Sequence, residues 1–186
     1  DQFRNLMPII DRKTFQSSGH TMSHKSKKYD YLRVTSGSTG EPIKMPSWRS
    51  EIKWTRADQW VGRSRYGIRV EDHCFYIWGH SHLLGTGFSG VRKKNLRILK
   101  DKILGYHRFP AYNLSVESLT KAGDEILKFK PEYIIGYSVA LDMFARVNYK
   151  RQEDFQRLEL KAVIASTENF PSENSSEIIS KVFNSP

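Results

Sequence analysis

The sequence predicts an α/β domain with a mixed or substantially parallel sheet flanked by helices. Four short runs, at 31–34, 74–78, 133–136 and 162–165, are rich in β-branched and aromatic residues and read as strands. Stretches with helical apolar periodicity lie between them. Strands that alternate with helices bury both faces of a parallel sheet, so the alternation itself selects the fold class.

In chain order, Tyr31-Leu32-Arg33-Val34 is the first expected strand. Ser47 stands where it could cap a helix over 48–65, with Ile52, Trp60 and Val61 facing inward. The second strand, 74–78, runs into Gly-His-Ser-His-Leu-Leu-Gly-Thr-Gly-Phe-Ser-Gly at 79–90, a glycine-rich apolar loop that reads as a connector or as a pocket wall. Ser115 is placed to cap a helix over 116–129, where Leu119, Ala122, Ile126 and Phe129 form a stripe. The third strand, 133–136, is followed by Ser138 and a helix over 139–149 with Leu141, Phe144 and Ala145 apolar. After the fourth strand, Pro171 or Ser172 opens a last helix containing Ile178, Ile179 and Val182. Ligands of parallel sheets bind beyond the carboxyl ends of the strands. The loops at 35–40, 79–90, 136–138 and 166–171 are therefore expected to gather at one edge.

The first of these loops is the most informative. It reads Thr35-Ser36-Gly37-Ser38-Thr39-Gly40-Glu41-Pro42. Gly37 and Gly40 let the backbone approach an anion without a Cβ in the way, and successive N–H groups can converge on phosphate oxygens. Ser36, Ser38 and Thr39 add hydroxyl donors. No Lys-Ser or Lys-Thr follows the second glycine, and the spacing is not G-x-G-x-x-G, so the two commonest nucleotide loops are excluded. A solvated turn of the same composition is the alternative reading.

The 186 residues carry a net charge of +10, unevenly placed: 1–110 hold 21 Lys/Arg against 9 Asp/Glu, and 111–186 hold 9 against 11. The clusters at 25–28 and 92–102 fit nucleic acid, an anionic surface, or small polyanions such as ATP and coenzyme A; they also fit solvated helix and loop faces. The single cysteine, Cys74, excludes an internal disulfide and a multi-cysteine zinc site, reads as a buried thiol, and fits a reducing cytoplasm. His80 and His82 lack a third ligand in sequence, so no metal site is expected from the residues alone. No apolar run reaches the roughly 18 residues of a membrane span, and no membrane partner is expected.

Thr-Ser-Gly-Ser-Thr-Gly-Glu-Pro resembles the phosphate-binding motif of the adenylate-forming superfamily, the acyl- and aryl-CoA ligases. Within it the chain is most similar to the phenylacetate–coenzyme A ligase group, including relatives associated with capsular polysaccharide synthesis. Leu6-Met7-Pro8-Ile9-Ile10 with Lys13, Asn113-Leu114-Ser115-Val116-Glu117-Ser118-Leu119, and Phe129-Lys130-Pro131-Glu132-Tyr133-Ile134-Ile135-Gly136-Tyr137 resemble that group's segments in the same order. Ala165-Ser166-Thr167-Glu168-Asn169-Phe170-Pro171 stands where the family has its adenine-contacting loop.

The resemblance implies ATP, magnesium and coenzyme A as cofactors, and a small carboxylate as substrate. Thr35, Ser36, Gly37, Ser38, Thr39 and Gly40 would hold phosphates, and Ser166, Thr167 and Glu168 would border the adenine. Trp78, Gly79, His80, Tyr137 and Ser138 would line the acyl pocket, and no catalytic residue is assigned. The family's aromatic-Gly-x-Thr-Glu motif, its ribose Asp and its small mobile domain do not occur before Pro186. Residues 1–186 are thus expected to be part of an N-terminal adenylation domain, inactive alone, with the acceptor thiol and a homodimer left open. Two rivals stand beside this reading. One is a basic nucleic-acid-binding module using Trp48, Trp54, Trp60, Tyr29 and Tyr31, though these tryptophans would not share a helical face and no nucleic-acid motif accompanies them. The other is a scaffold that keeps the fold and has lost the chemistry.

Overall fold

The computed structural model describes residues 11–15, 17, 28–34, 43–79 and 87–186. The chain divides into two compact units, Asp1–Gln59 and Trp60–Pro186.

In the first unit, β1 (Tyr31–Val34) pairs antiparallel with β2 (Lys44–Ser47), Tyr31 opposite Ser47 and Val34 opposite Lys44. β1 is therefore not a strand of the parallel sheet, contrary to the sequence expectation, and β2 was not foreseen. Residues 35–42, which join them, lie outside the described residues. Helix α1 (Arg49–Ser64) starts two residues after Ser47, which is itself buried in β2. Its first N–H groups find other acceptors. Arg49 N–H donates to Asp30 Oδ2 at 2.8 Å, and Trp48 N–H to Glu51 Oε2 at 3.2 Å, the reaching-back half of a capping box. α1 has no buried residue, and Val61, expected inside, is exposed. The helix runs across the division between the two units.

The second unit is built on four parallel strands in the order β4-β3-β5-β6. β3 is Cys74–Ile77, β4 Tyr106–Phe109, β5 Tyr133–Tyr137 and β6 Ala162–Ser166. α2 (Gly87–Ile103) links β3 to β4, so 87–90 begin a helix rather than end a loop. α3 (Val116–Phe129) links β4 to β5. α4 (Ser138–Val147) and the short α5 (Gln152–Gln156) link β5 to β6, and α6 (Ser175–Phe183) follows. β4 was missed because its middle residues are polar. The structure satisfies them locally: Arg108 pairs with Asp101 at 2.7 Å, and His107 Nε2 meets Glu125 at 2.9 Å.

Alternation along the strands divides the core. Phe75, Ile77, Phe109 and Ile134 face α3, α4, α5 and α6, where Phe144, Phe155 and Phe183 pack with ring centroids 5.4 to 5.6 Å apart. Cys74, Tyr133, Ile135 and Ala162 belong to a second cluster with Ile68, against which Trp60 and Tyr106 pack half-buried. Ser115 caps α3 as expected, its hydroxyl accepting from Ser118 N–H at 3.3 Å, and Leu119, Ala122 and Ile126 are buried. α6 begins three residues beyond Ser172, whose N–H is held by Ser175 Oγ at 3.1 Å.

Candidate active site

The order of the strands fixes where a ligand crevice falls. From β3 the chain passes to β4 on one side, then returns through α3 to β5 on the other. Such a reversal leaves an opening outside the carboxyl ends of the two middle strands. Here these are β3 and β5, followed by Trp78-Gly79 and by Tyr137-Ser138. β6 pairs with β5 through Tyr137 and Ser166, bringing the turn at 166–174 to the same edge. Of the four segments expected to gather, the residues directly after β3, β5 and β6 do so, and 80–86 lie outside the described residues. The fourth, at 35–40, follows a strand of another sheet.

At this edge the Trp78 indole stacks on the Tyr137 ring, centroids 4.3 Å apart and planes 24° apart. Trp78 is anchored on its other side by its backbone, whose N–H donates to Phe109 O at 3.0 Å. Gly79 is buried, and a Cβ there would lie 3.2 Å from the Tyr112 ring. His80 lies outside the described residues.

α4 comes directly off β5, which requires very close packing at the joint. A Cβ at Gly136 would sit 2.8 Å from Leu141 Cγ, too near for any side chain. The first turn of α4 has no side-chain cap of its own, since Tyr137 occupies the N-cap position. The cap is supplied from 30 residues away. Glu168 Oε1 accepts from Val139 N–H at 3.1 Å, and Ser138 Oγ donates to Glu168 O at 2.8 Å. A carboxylate at a helix N-terminus also meets the positive end of the helix dipole. Ser138 is 3% exposed, so its hydroxyl serves as a buried peg between α4 and the turn. Before Glu168, Thr167 holds φ at +80°, a rare conformation for a β-branched residue, and its hydroxyl donates to Ser166 O.

Ser166, Thr167, Glu168, Tyr137, Ser138, Trp78 and Gly79 are thus brought to one edge of one sheet, while 35–40 and His80 lie outside the described residues. The capping role of Glu168 was not visible in sequence, because its partner helix starts 30 residues earlier. A cavity of about 380 Å³ lies elsewhere, at the amino ends of β3 and β4, lined by His73, Lys102, His107, Arg108 and Phe129 among others. Among the described residues no three His, Cys, Asp or Glu side chains group as metal ligands. No helix among them is long and apolar enough to cross a membrane. Of the aromatics that could stack bases, Trp48 donates its indole N–H to Lys28 O at 2.9 Å, Trp60 lies 4.9 Å under the Arg63 guanidinium, and Trp54 is exposed.

No protein-family model matches the chain, and no curated protein matches it. Among solved structures the chain is similar to 2-hydroxyisobutyryl-CoA ligase in complex with 2-HIB-AMP and CoA, in the thioesterification state. The TM-score is 0.55 at 17% identity, covering 96% of this chain and 37% of that one. The same ligase in the postadenylation state with R3-HIB-AMP gives 0.54 at 15%, covering 96% and 37%. Its open conformation with 2-HIB-AMP and CoA gives 0.54 at 15%, covering 96% and 38%. At this identity the likeness shows the fold: the chain is folded as part of a CoA ligase is folded, and it spans little more than a third of that ligase's length.

Proposed function

We propose that the protein to which this chain belongs activates a carboxylate with ATP, forming an acyl-adenylate, and passes the acyl group to a thiol such as that of coenzyme A. The observation that carries the proposal is the ordered turn at 166–174 beside the strand-order reversal. The segment that resembles an adenine-contacting loop is fastened to the N-terminus of α4 at the edge where ligands of parallel sheets bind. The fold shared with a CoA ligase and the Thr35–Gly40 motif support the same reading. We further assign the protein to the phenylacetate–coenzyme A ligase-like group, on the order of the motifs quoted above, and take 1–186 to be part of a larger adenylation domain that does not turn over by itself.

In the first step a carboxylate oxygen attacks the α-phosphorus and pyrophosphate leaves. In the second a thiolate attacks the acyl carbon and AMP leaves. Both steps crowd negative charge, so positioned donors and exclusion of water do most of the work. Ser36, Ser38 and Thr39 would donate to phosphate oxygens, with Gly37 and Gly40 permitting close approach. Ser166, Thr167 and the backbone of Glu168 would border the adenine. The stacked pair Trp78 and Tyr137, with Gly79, would form one wall against the acyl group. Magnesium would neutralise the phosphates of bound ATP, which would themselves supply much of its coordination; among the described residues no three ligating side chains group to hold it alone.

The test is carboxylate-dependent ATP–pyrophosphate exchange by the full-length protein over a panel of aryl, acyl and amino acids. Exchange with one acid class, reduced by at least about 100-fold in Ser38→Ala/Thr39→Ala, is the expected result, since two phosphate donors are lost at once. Absence of Mg-ATP binding by the wild-type protein would sink the proposal.

A further inference from the structure

The turn after β6 is fastened at two places, and the second fastening is a single side chain. Arg146, two helical turns along α4 from Ser138, makes a bidentate pair with Asp142: Nε to Oδ2 at 2.9 Å and Nη2 to Oδ1 at 3.0 Å. The Asp142 side chain is 5% exposed. The same Nη2 then reaches out of the helix to Ser172 Oγ at 2.8 Å and Asn174 Oδ1 at 2.9 Å. Ser172 and Asn174 are themselves bonded, Oγ to Oδ1 at 2.9 Å. The described donors of Arg146 thus end on residues of α4 and the turn.

Between the two fastenings run Asn169, Phe170 and Pro171, while Ser166 and Thr167 lie between the end of β6 and the first fastening. Glu168 is tied to the start of α4, and Ser172 and Asn174 are tied to Arg146. Thr167, directly before the first fastening, keeps its positive φ. A β-branched residue in that region relaxes unless its surroundings over-determine it. An ion pair within a helix needs only Asp142 and Arg146. The other Nη2 hydrogen, shared between acceptors 26 and 28 positions away, serves the turn.

We infer that Arg146 is a positioning residue for nucleotide binding: it bridges buried Asp142 to Ser172 and Asn174, and so holds Ser166, Thr167 and Glu168 in the shape that receives the base. The inference rests on the proposed reading of that turn as the purine wall. Arg146 touches no substrate itself, and its effect is transmitted through the backbone of 167–171.

The experiment is made on the full-length protein with Ser172→Ala/Asn174→Ala, which removes the outer end of the bridge and leaves the Arg146–Asp142 pair in place. Arg146→Lys, which keeps charge but not the planar fork, is the second variant. KM and Kd for Mg-ATP are expected to rise about tenfold in both, the loss of one shared charge-assisted hydrogen bond, while KM for the acid changes less than about twofold. Amide exchange at 167–171 should quicken with the midpoint of thermal unfolding almost unmoved. Equal increases in KM for ATP and acid would reduce Arg146 to a structural tie and overturn the inference. Unchanged ATP binding in both variants, in a protein whose wild type binds ATP, would overturn it while leaving the proposed function intact. A wild type that binds no Mg-ATP overturns the two together.

Discussion

At the scale of single residues, Thr167 and Glu168 carry opposite energetic signs in the same turn. Thr167 holds φ at +80°, where glycine would be at ease. Thr167→Gly should therefore raise unfolding stability by about 0.5–1 kcal/mol, strain relief outweighing the added chain entropy, read as a higher urea midpoint. A lower midpoint would mean that the turn tolerates Thr167 without strain. Glu168 works the other way, since its carboxylate accepts the Val139 N–H that α4 cannot satisfy internally. Glu168→Ala should cost about 1 kcal/mol, as loss of an N-cap does, and Glu168→Gln less, because an acceptor oxygen remains. Equal losses for the two would refute the capping role. These two residues also mark what a sequence can disclose. Ser115 was legible as a cap because its partner, Ser118, is three positions on. Glu168 was legible only through the resemblance, as a residue bordering the adenine, and not as a cap, since its partner helix is set by the packing of β6 on β5.

At the scale of elements, α3 and β5 are legible because they bury an apolar stripe, whereas α1 is legible without burying one and β2 and β4 are missed. α3 announces itself through Leu119, Ala122 and Ile126, and β5 through Tyr133-Ile134-Ile135. β4 is hidden by His107 and Arg108, whose partners Glu125 and Asp101 lie on helices. β2 is hidden by its Lys-Met-Pro-Ser sequence, which reads as a loop until β1 pairs with it. That pairing also withdrew β1 from the parallel sheet, a matter of partner choice that local periodicity does not encode. The joint between β5 and α4 is the element-scale feature on which the site most depends. Gly136→Ala places a methyl 2.8 Å from Leu141 Cγ and 3.1 to 3.2 Å from its two δ-carbons. Overpacking of this kind costs about 1–3 kcal/mol. The variant should lose that much stability in denaturant titration, and Gly136→Ala should cost less in a Leu141→Ala background than in the wild type if the clash is the cause.

At the scale of the molecule, buried carboxyls on one side and thiol and phenol groups raised by burial on the other set how stability responds to pH, and they act on opposite limbs. Burial raises Asp142, but hydrogen bonds from Arg146 and Ser175, with the Arg146 charge, outweigh it and hold the carboxyl below its usual range. Burial likewise opposes ionisation of Asp72, and the Lys161 hydrogen bond at 2.6 Å and the Arg69 N–H at 2.7 Å overcome it, again lowering the group. A carboxyl depressed in the folded state adds stability above its unfolded pKa, about 3.9, and loses it as pH falls through the folded value. Cys74 has the opposite sign. Burial pushes its thiol up to about 12, so its contribution is complete below the unfolded value of about 8.5 and is lost as pH rises toward 12. Unfolding free energy should therefore be flat from about pH 5 to 8 and fall on both sides, the alkaline limb by up to about 1.4 kcal/mol per pH unit for each proton linked. Asp142→Asn should shallow the acid limb alone. Cys74→Ala should shallow the alkaline limb alone, leaving there the part due to Tyr76 and Tyr133, which burial also raises. Because Cys74 is 0% exposed on the central strand β3, a disulfide reagent at pH 8 should modify it only through unfolding. Its rate should then rise with urea in step with the unfolded population. Rapid modification in native buffer would show that the face of the sheet holding Cys74, Tyr133 and Ile135 opens without global unfolding, and would take Cys74 out of the alkaline account.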